Sequence, residues 1–468
     1  MGIYGLWETI EAVADTRSLM SVCIDELARL GRKPVLGVDA SGFMDYAVTA
    51  CIGQGPCARN ATPRFFYSQP TINPEMAIVL KLCIQLLGLP AETLFVFDGT
   101  VTPRQPHTTA KTQEITRLTK ALAEAFGYML HDAPADAEAE LAYLNVENMV
   151  DIVFAVDCGV VVFGAKLIVR STDIRNRDAV QVYRRKDIEA MGLPLAGLPA
   201  FALISGGSHD QKGLPFFCMP MGLDIARAEL GHRLSHLAGT GKLAEELPAW
   251  RASIMDWLSR YRYVDINQVP HDFPHLDIAM AYAAPVTSRM SGGVVLLLNM
   301  FDLKRVVTLC RAMFTPSAVA RSPADALHQT FCILVEKFDL ALWQGLYVHD
   351  LLRSATASAT LPRNSFTRVE RVEYYSRIDR RVAFVRFQRA RVHALLQQVL
   401  IDMQQGPGLI VDGVPPPVPQ IVEFGIPIEI FEFAATGRIT QDTSIIPRSP
   451  WVAAAVRLYN PFAERMST

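Results

Sequence analysis

Cysteine pairing is missing from this sequence. Its eight cysteines, at 23, 51, 57, 83, 158, 218, 310 and 332, include no C-x-x-C pair, and several lie in apolar runs. The pattern reads as buried free thiols in a reducing compartment and not as a disulfide framework. Long apolar runs are missing too. Asp157 and Lys166 interrupt the run from Asp151 to Val169, and Asp302 and Lys304 end the run after Gly292. Neither is long enough to cross a membrane as a helix. Met1 to Thr9 shows no basic segment leading into an apolar one, so no secretory signal is expected. Charge of one sign is not in excess: 45 Lys and Arg face 47 Asp and Glu, for a net charge of -2. A chain-wide basic surface for nucleic acid is thereby excluded, though a local basic face is not. There is no P-loop and no G-x-S-x-G nucleophile elbow; Gly241-Lys242 lacks both the upstream glycine and the Ser or Thr. His232 with His236, and His271 with His275, have no Glu or Cys at metal-ligand spacing, so no zinc site is expected. The expectation is a soluble intracellular protein.

What the chain does have is core material. Half of its 468 residues are hydrophobic, and its length suggests about three domains. In the first two hundred residues, short apolar runs of buried-strand type alternate with helical segments. The runs are Pro34–Val38, Thr93–Phe97, Ile152–Val156 and Phe201–Ile204. The helical segments are Pro74–Leu87, Gln113–Phe126 and Ala135–Leu144, with Asp132, Pro134 and Asp136 marking the start of the last. Such alternation predicts an α/β fold with a parallel sheet flanked by helices.

Three of the runs end in an aspartate, Asp39, Asp98 or Asp157, and the fourth ends in Ser205-Gly206-Gly207-Ser208. Aspartates at strand ends commonly cap turns. In an open parallel sheet, however, the carboxyl ends of the strands share one rim, where ligands bind. Three such acids together favour a site.

From Gly213 to about Pro285 the chain reads as mostly helical, with turns near Gly231 and Gly239–Gly241. Helical stretches continue to about Leu352. Arg368–Arg389 alternates as strands do, Val392–Met403 reads as a helix, and Gly406–Pro419 reads as a loop. Nine arginines between Arg363 and Arg391 interleave with Tyr374, Tyr375, Phe384 and Phe387. They are either a phosphate-binding face with stacking side chains or the solvated edge of a small sheet. No internal repeat is evident.

Seven stretches together resemble the XPG/flap-endonuclease superfamily, above all its GEN-type Holliday-junction-resolvase branch as found in fungi. They are Met1–Trp7, Leu36–Ser41, Phe95–Gly99, Ala125–Asn145, Val150–Lys166, Leu203–Pro215 and His271–Ser288. The resemblance covers roughly the first 290 residues in the family's order. It implies a PIN-like XPG N/I nuclease core over 1–205 and a helix–hairpin–helix-like module over 206–290. An α+β domain of unknown role, of the kind that is often chromodomain-like in GEN-type proteins, would fill 291–468. It further implies a carboxylate site for two Mg²⁺ ions that hydrolyses a phosphodiester near a branch or 5′ flap, a role in DNA repair and a nuclear location. Two ions side by side activate a water and stabilise the leaving oxygen, and oxygen ligands suit Mg²⁺.

Carried over by position, the catalytic acids are Asp39, Asp98, Asp136, Glu138 and Asp157, the last four as metal ligands. Helical spacing alone would instead pair Asp136 with Glu140. The implied nucleic-acid contacts are Gly2, Arg104, Lys111, Arg117, Lys120 and Lys212.

The sequence also departs from the family. Asp157-Cys158-Gly159 stands where an acidic D-x-D is usual, and Gly206-Gly207-Ser208-His209 where an aspartate follows the glycine pair. Asp210 would point the wrong way to substitute for it. Position 136 is one methylene shorter than the usual Glu. Seven carboxylates become five, so one Mg²⁺ at most is expected, with the second bound weakly or not at all. Phe216 to Gly222 replaces a glycine-rich DNA-binding turn with bulky residues, and Pro220 offers no N–H. The sequence therefore reads as a pseudonuclease, a binding or scaffold protein for branched DNA or for protein partners. The alternatives are an active metal-dependent structure-specific endonuclease with a reduced site, and a protein-interaction module.

Overall fold

The computed structural model describes residues 2–52, 73–100, 109–171, 179–207, 209, 212–261, 264–291, 296, 299–314, 341–352, 366–376, 378, 380–388, 398, 402, 421–436 and 439. A seven-stranded sheet forms its centre, built from β1 (Asp15–Arg17), β2 (Val35–Asp39), β3 (Glu92–Phe97), β4 (Met129–Asp132), β5 (Ile152–Ala155), β6 (Leu167–Arg170) and β7 (Val180–Arg184). The order across the sheet is β1-β7-β6-β5-β2-β3-β4. From β6 through β4 the neighbours are parallel, while β7 and β1 close the edge antiparallel.

The strands read as continuous apolar runs because both faces of the sheet are covered. Leu36, Val38, Phe95, Phe97, Ile152 and Phe154 pack to one side, with the helices Ala40–Ile52, Pro74–Leu87, Ala110–Ala125 and Leu303–Phe314. Leu94, Val96, Val153 and Ala155 alternate to the other, with the helices Leu6–Ile10, Ala137–Val146, Leu198–Ser205 and Leu276–Ala283. The strand period of two thus divides one apolar run between two cores.

Three expected strands fall within a residue or so of where they form. The fourth is corrected: Phe201–Ile204 belongs to a helix, Leu198–Ser205, in which every residue is buried. An apolar run of this length carries no period that separates strand from buried helix. Four strands, β1, β4, β6 and β7, carried no signal distinct enough to read. Gly231 lies inside the helix Glu229–Gly239 instead of in a turn, whereas Gly241, at φ +71°, does follow a helix end. None of the six described cysteines, 23, 51, 83, 158, 218 and 310, is in a disulfide.

A second, antiparallel sheet joins β8 (Phe366–Tyr375), β9 (Arg380–Gln388) and β10 (Ile421–Pro427), in the order β10-β9-β8. It docks onto the helix Leu19–Leu30: Ser21 Oγ donates to Ile378 O, and Arg380 pairs with Asp25. Arg380 also reaches Glu429 at 3.5 Å, so this arginine serves the docking contact and not a free phosphate-binding face. The helix expected over Val392–Met403 and the loop over Gly406–Pro419 lie outside the described residues, apart from isolated positions. Among the described residues no helix is long and apolar enough to cross a membrane.

Candidate active site

Sheet order determines which acids meet. β5, β2 and β3 are adjacent and parallel. Asp39 ends β2, Asp98 follows β3, and Asp157 follows β5, so all three sit on one rim. The loop after β4, beside β3, and the helix start that follows it bring Asp136 and Glu138 to the same rim.

Local geometry then sets each side chain. Asp39 Oδ1 accepts from Gly42 N at 2.9 Å. Asp98 N donates to Ser41 Oγ at 3.0 Å, and Asp98 Oδ1 accepts from Ala137 N at 2.9 Å. Asp136 is the N-cap of the helix Ala137–Val146: its Oδ1 accepts from Glu138 N at 2.8 Å and Ala139 N at 3.1 Å. The cap is therefore Asp136 itself and not Asp132, which ends β4 and pairs with Lys120 at 2.5 Å. Two close approaches hold these loops together. Gly99 N donates to Ala135 O at 2.6 Å. A Cβ on Gly37 would stand 2.6 Å from Leu141, so only glycine lets β2 approach that helix so closely.

The capping geometry also explains why helical spacing misleads here. Asp136 turns its Oδ1 onto the first N–H groups of the helix, so its carboxylate does not pair with Glu140. Glu140 is fully buried elsewhere, accepting from Ser288 N at 2.8 Å and meeting His131 Nε2 at 2.9 Å. Burial acts to raise the Glu140 pKa, but the bonds from His131 and Ser288 outweigh it and hold the carboxyl below its ordinary value. Ser288 Oγ also lies 3.4 Å from His131 Nε2. Serine and glutamate thus meet the same ring nitrogen, which makes a structural brace and not a relay for nucleophilic attack.

The five acids repel one another. Burial first, then Asp98, Asp157 and Asp136, hold Asp39 well above the usual carboxylate range, against its Gly42 hydrogen bond. Burial, then Asp136, Asp39, Asp157 and Asp98, do the same to Glu138. Asp98, Asp136 and Asp157 are also raised, mainly by burial, with Arg170 easing Asp157. Asp45, which sequence reading missed, is raised by burial and by Asp98 and Asp157. Glu138 Oε1 is buried without a hydrogen-bond partner. A rim of mutually repelling carboxylates with an orphaned buried oxygen suits a divalent cation. As placed, no three described His, Cys, Asp or Glu side chains form a ready-made grip.

Gly159 sits directly against Glu138. A Cβ there would stand 2.8 Å from Glu138 Cδ, so the glutamate occupies the space a second D-x-D acid would use. Gly2, at φ +130°, lies beside the site, where a Cβ would be 3.0 Å from Cys158 Sγ and 3.5 Å from Asp157 Oδ1. Ile3 N donates to Cys158 Sγ at 3.0 Å, so the amino-terminal stretch seals this side.

Sequence reading also missed His209. It is buried, its Nε2 lies 3.6 Å from Asp136 Oδ2, and its ring stands edge-on to Tyr282 at 4.7 Å. Burial lowers its pKa, with Asp98 pulling the other way. Only its place directly after the departure at Ser208 could have drawn attention to it.

The basic residues expected to meet nucleic acid are mostly engaged with acids. Lys111 pairs with Glu75 at 3.0 Å, Arg117 with Glu114 at 2.6 Å, and Lys120 with Asp132 as described above. Lys212 is exposed. Arg104, Ser208 and Asp210 lie outside the described residues. In the altered turn, Phe217 packs edge-on against both Phe201 and Tyr4 at 6.0 Å.

Comparisons with known proteins bear on the fold and on one segment of the chain. The XPG I-region family model matches residues 127–208. Single-strand DNA endonuclease 1 of Arabidopsis thaliana is 33% identical over 93 residues, 20% of this chain and 16% of that protein. Flap endonuclease GEN-like 1 of Oryza sativa subsp. japonica is 30% identical over 121 residues, 26% of this chain and 19% of that protein. The match thus spans less than a fifth of either curated relative. The crystal structure of the Holliday junction-resolving enzyme GEN1 with product DNA and Mg²⁺ shares the fold, with a TM-score of 0.63 at 21% identity, over 92% of this chain and 96% of that one. Human GEN1 in complex with Holliday junction DNA does so with a TM-score of 0.50 at 15% identity, over 83% and 88% of the two chains.

Proposed function

We propose that this chain, whose resemblance to the XPG/flap-endonuclease superfamily and its GEN-type branch is borne out by the I-region match and the shared fold, binds branched DNA and holds one divalent ion at its acid cluster. Its phosphodiester hydrolysis is lost or strongly reduced, which makes it a pseudonuclease with a binding or scaffold role and protein partners, in the nucleus. The observation that carries this reading is the Glu138–Gly159 contact: one family ligand is gone and its neighbour has taken its space. Asp98, Asp136, Glu138 and Asp157 would hold the ion, and the orphaned Glu138 oxygen marks where a ligand is wanted. Bound there, a divalent ion supplies charge neutralisation beside a phosphate. Asp136 is held by its capping bonds and Asp98 by Ala137 N, so both present oxygens from fixed positions.

The test is cleavage of labelled 5′-flap and four-way-junction DNA with Mg²⁺ or Mn²⁺. Asp98→Asn is the control, and Gly159→Asp with Ser208→Asp the restoration. The expected result is silence in the native chain and cleavage by the restored one. Cleavage by the native chain that Asp98→Asn abolishes would overturn the pseudonuclease reading in favour of an active enzyme with five acids. Silence in both, with no salt-dependent DNA binding, would move the reading to a protein-interaction module.

A further inference from the structure

We propose that His209 is a nitrogen ligand at the acid cluster, paired with Asp136, and that it makes the site prefer a first-row transition ion such as Mn²⁺ over Mg²⁺. This rests on the reading that the cluster holds one divalent ion.

Position is the first argument. The His209 Nε2 to Asp136 Oδ2 separation is 3.6 Å, long for a hydrogen bond. Two donors each about 2.1 Å from one ion stand about 3 to 3.4 Å apart at octahedral to tetrahedral angles. The pair is therefore nearly at the spacing of two ligands to a shared ion.

Placement is the second. Asp136 Oδ1 is committed to Glu138 N and Ala139 N, which leaves Oδ2 as the atom turned toward His209. His209 is held from behind: its backbone N donates to Tyr282 Oη at 3.3 Å, and the Tyr282 ring stands edge-on to the imidazole. Tyr282 is itself buried at 3% exposure. The ring is thus positioned before any ion arrives.

A second observation at the cluster points to a cation. Glu138 is 8% exposed, sits among Asp136, Asp39, Asp157 and Asp98, and leaves Oε1 unpartnered. A buried carboxylate oxygen without a donor is costly unless a cation meets it.

The donor set then determines the ion. Mg²⁺ takes oxygen ligands and water, whereas an imidazole suits borderline transition ions. With Gly159 and Ser208 in place of two acids, the cluster has fewer oxygens and one added nitrogen.

The experiment uses the full chain with bound Mn²⁺. Pulsed electron paramagnetic resonance reads nitrogen coupling to the metal, and titration with Mg²⁺ as competitor reads preference. In the native protein we expect ¹⁴N coupling from one imidazole and Mn²⁺ binding about tenfold or more tighter than Mg²⁺. His209→Gln, shown folded by circular dichroism, loses the coupling and most of the preference while still binding Mg²⁺. Bound Mn²⁺ without nitrogen coupling in the native chain overturns the proposal and needs no variant. Coupling that persists in folded His209→Gln also overturns it. If Asp98→Asn releases Mn²⁺ while nitrogen coupling is absent, His209 is excluded and the acid cluster stands as the ion site. If the folded native chain retains neither ion, both readings fall.

Discussion

The Glu138 carboxylate lies over Gly159, filling the space that a side chain at 159 would enter: a Cβ there would be 2.8 Å from Glu138 Cδ. Because the obstacle is the end of a flexible side chain, an acid at 159 requires only that Glu138 turn away. Gly159→Asp is expected to lower the Tm in chelator, since it adds a buried charge to an already repelling cluster, at a cost of about 1–3 kcal/mol. Mg²⁺ or Mn²⁺ should recover most of that loss. Thermal melts with and without metal measure it, and an equal loss in both conditions would mean that Glu138 cannot move aside.

The raised pKa values give the cluster a signed pH dependence. A carboxyl whose folded pKa is raised contributes stability that is present below its ordinary value and lost as pH rises through the folded pKa. Asp39 and Glu138, held well above the carboxylate range, dominate this. In chelator, stability should fall as pH climbs from about 4 toward neutrality. A divalent ion opposes that fall, so its Tm increment should be larger at pH 8 than at pH 5. A metal increment independent of pH would place the ion elsewhere.

Neutralising one buried acid separates its structural and ligand roles. Glu138→Gln removes repulsion from Asp136, Asp39, Asp157 and Asp98. It should raise the Tm in chelator by on the order of 1–3 °C and abolish the increment given by divalent ions. Calorimetry in the two buffers reads both effects.

Glu140 should behave in the opposite way. Its carboxylate is fully buried and satisfied by Ser288 N and His131. Glu140→Ala leaves both unpaired and should cost about 3 kcal/mol or more, without changing divalent-ion affinity. Its folded pKa is lowered, so the stability it contributes is present above the ordinary glutamate value and lost as pH falls through the folded one. A denaturant titration of this variant at several pH values, with metal binding alongside, tests the separation.

Arg380→Ala addresses the second sheet. Arg380 joins β9 to Asp25 and Glu429. Its loss should raise hydrogen exchange along β9 and the helix Leu19–Leu30 while leaving the salt slope of DNA binding unchanged. A slope reduced by about one would show instead that this arginine meets a phosphate.

Much of the α/β core was legible along the chain, because its strands are buried on both faces and end in aspartates. Asp39, Asp98 and Asp157 could be named from that pattern alone. Asp136 and Glu138 could not: helical spacing selects Glu140, and only the resemblance selected Glu138. Phe201–Ile204 was misread as a strand, since a fully buried helix of eight residues shows no polar face. His209 stayed hidden because its placement depends on Tyr282, which lies 73 residues away in sequence.

The sequence by itself determined which residue types were available: five acids at strand ends and a helix start, and a glycine at 159. It did so because local pattern, strand period and turn chemistry act over a few residues. Tertiary structure decided which of those groups meet. The adjacency of β5, β2 and β3 gathers the acids, the Asp136 cap turns Glu138 inward and Glu140 away, and Tyr282 sets His209 against Asp136. Burial and charge repulsion are sums over neighbours distant in sequence, so they exist only once the chain has closed on itself.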